Sequence, residues 1–250
     1  MSIAAVIASI TLRQLLSRRR TLLILLLGAV LVVLALVFRL SDESSSETNA
    51  LSWTMGMLEY LGLVTVVPLI ALIFGTGAIG GELEDGTAVH LLTKPVARWR
   101  VGLVKFGVAA GCAALLSGVP MLVAGLIGSG DAGVAIGYSV AGVIASVIYV
   151  AIFMALSLFT SRAFVIGLGY ILIWEGLLAG LFPGIGTLSV RWQSTAFAQA
   201  LTDALNTTLS GLDAGPPLGT AIVAAAVMGG VALVLALRRL RRLEIAGEVG

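Results

Sequence analysis

The sequence predicts an all-α integral membrane protein with six transmembrane helices. Of its 250 residues, 59% are hydrophobic and only 11% are charged, and the mean hydropathy is +1.09. Soluble domains of this size carry roughly 25% charged residues, so this chain has too few polar side chains to cover a surface that faces water. No barrel-like alternation of apolar and polar residues is present, and a backbone surrounded by lipid must then be helical.

Six apolar stretches are each long enough to cross the hydrocarbon core, which takes about 20 helical residues. We expect Pro68 and Pro120 to kink the second and third of them. The first stretch follows three arginines, as in a twin-arginine signal, but its length favours a retained span. The sequence therefore predicts one transmembrane domain over residues 1–250. Its spans are approximately 21–38, 57–80, 103–128, 133–160, 164–182 and 217–237.

The distribution of lysine and arginine predicts the orientation. With the N-terminus inside, only Arg39 and Arg191 fall in outer segments, and an even number of spans places the C-terminus inside as well. We therefore expect a multi-pass protein of a bacterial-type inner (plasma) membrane, with both termini cytoplasmic. The cytoplasmic basic residues are Arg13, Arg18, Arg19, Arg20, Lys94, Arg98, Arg100, Lys105, Arg162, Arg238, Arg239, Arg241 and Arg242.

Two further helices are predicted outside the spans. Residues 3–20 favour an amphipathic N-terminal elbow helix on the inner membrane surface, although a plain positive flank to the first span is the alternative. In the loop 183–216, Ser194 is placed to cap an amphipathic helix that lies at the outer interface or re-enters the membrane. The apolar side of this second helix would carry Phe197, Leu201, Leu205, Leu209 and Leu212.

The cytoplasmic loop between spans two and three has a structure of its own. Asp85 is a suitable N-cap for a short helix over residues 86–93, and Lys94 stands at the end where a positive charge is favourable. Pro95 then ends the helix. Leucines exposed on a capped helix predict a docking surface, whereas a solvated connector is the alternative. The apolar face consists of Ala88, Leu91, Leu92 and Val96.

This loop resembles that of permease subunits of ATP-binding-cassette exporters of the second type. Their hallmark is an acidic residue, Gly-Thr, a small residue, two leucines and then Pro-x-x-Arg. The topology, the elbow helix and the outer helix extend the likeness to the whole chain. The matching residues here are Glu82, Glu84, Gly86, Thr87, Leu91, Leu92, Pro95 and Arg98.

The resemblance implies that this loop is a coupling helix seated in a cleft of a separate ATPase subunit, with Asp85 and His90 also at the contact. It implies two permease copies, a homodimer or a pair with a sister permease, and two ATPase subunits. ATP and Mg would bind to the ATPase and no cofactor to this chain. The spans carry little charge, which favours an apolar or amphiphilic cargo.

Catalytic and metal-site motifs are absent from the sequence. There is no P-loop, and the match of residues 75–80 to G-x-G-x-x-G lies inside an apolar span, away from any βαβ unit. A single histidine, His90, excludes a histidine triad and a multi-histidine metal site. A single cysteine, Cys112, excludes a disulfide and a Cys/His zinc set. We therefore predict no enzyme, no metal and no nucleic-acid partner.

Two carboxylates fall inside predicted spans. Glu59 is near the outer end of span two, and Glu175 lies well inside span five. A charge at the bilayer centre costs about 2.5–3.5 kcal/mol on insertion scales, so Glu175 must face protein, face a wet cavity or be protonated. A conduit for the transported molecule, a structural hydrogen bond and a misplaced span boundary are the three interpretations. Glu59 is a further candidate for the conduit.

Three other functions are compatible with a membrane protein of this kind. An ion-driven carrier or channel needs intramembrane charges and broken helices, for which Glu175 is the main candidate. An intramembrane enzyme would need a nucleophile and a base, which the spans do not offer. A non-transporting relative acting in maturation or self-protection is the third.

Overall fold

The computed structural model describes residues 3–16, 18–41, 46–84, 98–178, 186–205 and 217–246, and within these ranges every regular element is helical. The all-α prediction is therefore confirmed for the described part of the chain. The helices are α1 (Ile3–Leu15), α2 (Arg18–Arg39), α3 (Glu47–Gly56), π1 (Met57–Val66), α4 (Val67–Glu84), α5 (Arg98–Ser129), α6 (Ala132–Phe159), α7 (Ala163–Gly169), π2 (Tyr170–Leu178), a 3₁₀ turn (Gly186–Leu188), α8 (Val190–Ala204) and α9 (Leu218–Ala246).

Five helices in the described ranges are long and apolar enough to cross a membrane. They correspond to the predicted spans one to four and six, and the second of them runs without a break through α3, π1 and α4. The predicted span 164–182 is a shorter apolar helix, Ala163–Leu177, and residues 179–185 lie outside the described part. The count of six thus stays a prediction.

The core of the bundle is built around α6, which contacts α4, α5, α8 and α9. Tyr138, Tyr149 and Phe153 on this helix are fully buried, because aromatic rings fill the space between neighbouring helices. By contrast, α2 and α9 present most of their apolar side chains outward, as expected for helices whose solvent is lipid.

A π-helix precedes Pro68 in the second span. Proline has no N–H to donate and its ring crowds the carbonyl four residues back, so the α-helical pattern is broken before it. The N–H of Val67 instead donates to the carbonyl of Gly62, five residues back. Pro120 lies inside the continuous helix α5, where its ring packs against Gly28 of α2.

Close helix contacts are made at particular glycines. A Cβ built on Gly75 of α4 would lie 2.8 Å from the Cβ of Phe153 and 3.1 Å from the carbonyl oxygen of Val150. Both of those neighbours belong to α6, and the second is backbone, which cannot move aside. Gly107 and Gly111 are also spaced for helix packing, but nothing lies within 4 Å of a Cβ at either position.

The helix before the last span begins earlier than its sequence suggests, and the predicted cap is wrong. Ser189 is the N-cap, and its hydroxyl accepts a hydrogen bond from the N–H of Trp192. Ser194 instead lies inside α8, where its hydroxyl donates to the carbonyl of Val190. Its own N–H is already within the helical pattern, so Ser194 has no free helix end to cap.

The face of α8 that packs into the bundle consists mostly of small residues. Its small residues Ser194, Ala198 and Thr202 are buried, whereas Leu205 is 45% exposed. Thr202 packs closely against Gly137 of α6. Small residues allow the two helices to approach closely, which decides which face of α8 packs against α6. The position of this helix at the outer interface stays a prediction. Leu209 and Leu212 lie outside the described residues.

The predicted N-terminal helix is present as α1 but ends at Leu15. Thr11 and Leu15 are its buried residues, and the helix contacts α5 and α4. Val6, Ile10 and Leu12 stay exposed. Its position on a membrane surface remains a prediction.

Gly75→Ala should destabilise the bundle, because the added methyl group meets backbone atoms of α6. Overpacking of this kind costs about 1–3 kcal/mol. The matched control is Gly107→Ala, which adds the same methyl group to a helix in open space. We expect a lower apparent unfolding midpoint in mild detergent for the first variant only. Equal midpoints for both variants would show that α4 and α6 are not in close contact.

Candidate functional site

The two intramembrane carboxylates lie on the two π-helices, which contact each other. Glu59 is the third residue of π1, and Glu175 is the sixth residue of π2. Both are buried, at 8% and 0% exposed. Short π-helices frequently mark functional positions in proteins, because they turn side chains away from the α-helical pattern. Here they turn both carboxylates toward the start of α8.

Glu175 caps the N-terminus of α8 from a neighbouring element. Its Oε1 accepts hydrogen bonds from the N–H of Val190 (3.0 Å) and the hydroxyl of Tyr170 (3.2 Å). Its Oε2 accepts from the hydroxyl of Ser189 (2.5 Å) and the N–H of Arg191 (3.4 Å). The first N–H groups of a helix have no partner within it, and the helix dipole favours a negative charge at this end. Four donors therefore hold one buried carboxylate.

Glu59 is paired with Arg191, the second residue of α8. The Nη2 of Arg191 donates to Oε1 of Glu59 at 3.2 Å, and both side chains are about nine-tenths buried. The guanidinium also lies 4.9 Å from the centre of the Tyr60 ring, a cation–π distance. The start of α8 is thus fastened to π1 by a side chain and to π2 by its backbone.

The polar region extends beyond these bonds. Five buried polar atoms make no hydrogen bond of ordinary geometry within the described part of the chain, although one of them, the Tyr149 hydroxyl, lies close enough to Glu175 to interact with it. Most such groups in proteins are satisfied, so their concentration around α8 and α6 marks a polar interior at this end of the bundle. They are Thr54 Oγ1, Tyr138 Oη, Tyr149 Oη, Arg191 Nε and Gln193 Oε1.

This geometry favours structural hydrogen bonding as the role of Glu175, among the three interpretations of the sequence. Its oxygens accept from Tyr170 and from three successive residues at the start of α8, so they hold the end of that helix in place. The conduit role of Glu175 and Glu59 stays a prediction. The described residues include no group of three or more His, Cys, Asp or Glu side chains that could hold a metal ion.

The predicted ATPase contact lies mostly outside the described residues. Glu82 and Glu84 belong to the last turn of α4, and Arg98 is the first residue of α5. The loop thus connects these two helices, at the end of the bundle opposite α8. The positions outside the described residues are Asp85, Gly86, Thr87, His90, Leu91, Leu92 and Pro95.

Three contributors to the polar cluster were missed by sequence reasoning: Tyr170, Ser189 and Arg191. A signal for one of them was available. Arg191 is the only lysine or arginine between Arg162 and Arg238, and two intramembrane carboxylates require a cationic or hydrogen-bonding partner. Ser189 is an N-cap only because α8 begins at Val190, and the sequence predicts a later start for this helix.

Comparison with protein families gives a match that spans almost the whole described bundle. Residues 5–237 match the family described as ABC-2 family transporter protein. The chain belongs to the ABC-2 transporter family. Curated individual proteins give no match to it. Membership makes this chain a multi-pass membrane protein of a permease family, in agreement with the resemblance at residues 82–98.

Glu175→Gln should lower the stability of this ABC-2 transporter chain. A glutamine side chain has one acceptor oxygen where the carboxylate has two, so two of the four donors lose their partner. Each unsatisfied buried group costs about 1–3 kcal/mol. The apparent unfolding midpoint should fall clearly below that of Glu47→Gln, an exposed carboxylate at the same end of the bundle. A fall no larger than in this control would contradict the capping role.

A double-mutant cycle tests the ion pair. Arg191→Met leaves Glu59 buried and unpaired, so it should be more destabilising alone than in combination with Glu59→Gln. We expect a coupling energy of about 1–2 kcal/mol. Arg13→Gln, an exposed change at the far end of the bundle, should be additive with Glu59→Gln. If the destabilisation caused by Arg191→Met and that caused by Glu59→Gln simply add, the two side chains do not form a stabilising ion pair.

Proposed function

We propose that this chain is the permease subunit of an ATP-driven exporter. The observation that carries the proposal is the family match over residues 5–237, joined to an acidic–leucine–proline motif in the connection between α4 and α5. A separate subunit would hydrolyse ATP, since the sequence of this chain contains no P-loop. The loop 82–100 would be the coupling helix that docks on this subunit.

The packing of α4 supports transmission of a movement at this loop into the bundle. Ile70, Leu72 and Phe74 on α4 are fully buried, and Gly75 brings the helix against the backbone of α6. A displacement of the loop would therefore move α4 and α6 together, because packed helices resist being compressed. Closure of two ATPase subunits would in this way shift the bundle between inward-facing and outward-facing states.

A substrate path between two permease copies is part of the proposal. The Glu59–Arg191 pair and the capped carboxylate described above are turned inward, and the outward surfaces of α2, π2 and α9 up to Leu235 are apolar. A path formed between such surfaces would suit an apolar or amphiphilic cargo better than a highly charged one. A homodimer is the simplest assembly that forms it.

Leu92→Asp and Glu84→Lys should each weaken assembly with the ATPase or uncouple ATP hydrolysis from transport. A charged side chain on the apolar face of a docking helix removes apolar contact, and Glu84→Lys reverses the acidic charge of the motif. The matched controls are Leu40→Asp and Glu47→Lys, at exposed positions of the opposite end. Assembly is measured by co-purification and coupling by ATPase activity in vesicles.

All four variants should retain the unfolding midpoint of the parent chain. Normal assembly and normal ATPase activity of both loop variants would overturn the proposal. Assembly without any flux would favour the non-transporting relative. Flux driven by an ion gradient through the chain alone would favour the carrier, for which the buried Glu59 and Glu175 are the only intramembrane carboxylates in the described spans.

A further inference from the structure

The last helix, α9, carries an outward stripe that changes from apolar to basic along its length. Its buried face consists of alanines, including Ala221, Ala225, Ala232 and Ala236. The opposite face runs from Val223 toward the end of the helix and covers about 27 Å at about 1.5 Å per residue. The exposed residues on this stripe are Val223, Val227, Val231, Val234, Arg238 and Arg241.

The basic end of the stripe is fixed in place by the start of α5. The guanidinium of Arg241 lies 5.9 Å from the Trp99 ring, and that of Arg100 lies 5.4 Å from the same ring. A Cβ on Gly102 would come within 2.9 Å of Leu240, so the two helices approach closely here. Arg100, Arg238 and Arg241 are nevertheless exposed. Arg100 and Arg241, from two different helices, thus lie at one tryptophan ring, and Arg238 lies one turn before Arg241 on α9.

The electrostatic field at this end favours an anion. The N-terminus of α5 adds the positive end of a helix dipole to the arginines. Glu82 and Glu84 at the end of α4 and Glu244 at the end of α9 also lie on this side, but the basic residues of α5 and α9 outnumber them. The acidic residues whose side chains the structure describes are at the other end of the bundle. They are Glu47, Glu59, Asp131, Glu175 and Asp203.

We propose that this surface binds an anionic phospholipid, with its phosphate on Arg100, Arg238 and Arg241 and an acyl chain along the valine stripe of α9. The valines from Val223 to Val234 span about 17 Å at about 1.5 Å per residue, close to the depth of one leaflet of a hydrocarbon core about 30 Å thick. Tryptophan beside arginine at its end is typical of the boundary between headgroups and acyl chains. The proposal does not depend on transport. Arg100 is also the last residue of the loop proposed to dock on the ATPase, so the test below changes Arg238 and Arg241 and keeps Arg100.

Charge decides against two other occupants of the stripe. A symmetric second copy packed through this face would place Arg238 and Arg241 opposite their own equivalents, and like charges repel. An acidic soluble protein could reach the arginines but not the valines, because the valines belong to a helix long and apolar enough to cross the membrane. Only an amphiphilic anion matches both parts of the surface.

The experiment titrates the full-length protein in mild non-ionic detergent with phosphatidylglycerol or phosphatidylcholine. Bound lipid is counted by native mass spectrometry, and the unfolding midpoint is followed in parallel. We expect preferential retention of phosphatidylglycerol with a higher midpoint. Because each arginine at a membrane surface contributes about fivefold, Arg238→Gln with Arg241→Gln should weaken this preference by about 25-fold.

Two variants separate a defined site from general surface charge. Arg13→Gln removes an exposed charge on another helix at the same end and should leave the lipid preference unchanged. Replacement of Arg238 and Arg241 by lysine keeps the charge and should retain most of the preference, which guards against misfolding of the glutamine variant.

Several results would overturn the proposal. They are equal retention of phosphatidylcholine, an equal loss of preference in Arg13→Gln, and a preference that survives in the glutamine variant. Stabilisation by inorganic phosphate as large as that by phosphatidylglycerol would point to a free anion. Tighter binding of polyglutamate than of the lipid would point to an acidic protein.

Discussion

Hydrocarbon offers polar groups no hydrogen-bond partner, and the structure depends on this constraint throughout. Backbone groups are satisfied inside helices, and the carboxylate of Glu175 is satisfied by four donors from its own chain. The same carboxylate satisfies the first N–H groups of α8, a helix that would otherwise present unpaired donors to an apolar interior. The pairing of the Glu175 carboxylate with the helix end thus offsets the free-energy cost of burying both groups. The pairing of Arg191 with Glu59 does the same for that carboxylate.

The elements that follow from hydrophobic length were predictable from the sequence. The spans starting near residues 21, 103, 133 and 217 agree closely with α2, α5, α6 and α9, because apolar length is a direct consequence of membrane thickness. The effect of a proline inside a span was less predictable from the sequence. Pro68 did not end its helix or leave it α-helical, since a π-helical segment accommodated the missing N–H.

Details that depend on tertiary contacts were not predictable in the same way. The leucine pattern predicts a cap at Ser194, whereas Ser194 is buried inside α8 and Ala198 and Thr202 pack against Gly137 of α6. The partner of Glu175 could not be read from spacing either. Ser189 and Val190 reach it only because π2 and the start of α8 lie side by side.

The features that bear on the proposed function lie at the two ends of the bundle. At one end, the motif between α4 and α5 relates the chain to transporters whose energy comes from another subunit, and the family match agrees with that relation. At the other end, a polar cluster ties a short helix to two spans. Gly75 and the fully buried side chains of α4 pack this helix into the core. A displacement of the connection between α4 and α5 would therefore also move the helices in contact with α4.

The proposed function makes this chain one of two permease copies that form the membrane part of an ATP-driven exporter. The most direct test is the mass of the intact assembly, extracted from its own membrane in mild detergent and measured by native mass spectrometry. We expect two copies of the 25.7 kDa chain together with two soluble subunits that each carry a P-loop. A chain that is isolated without any nucleotide-binding subunit, yet conducts ions in vesicles by itself, would contradict the proposed function.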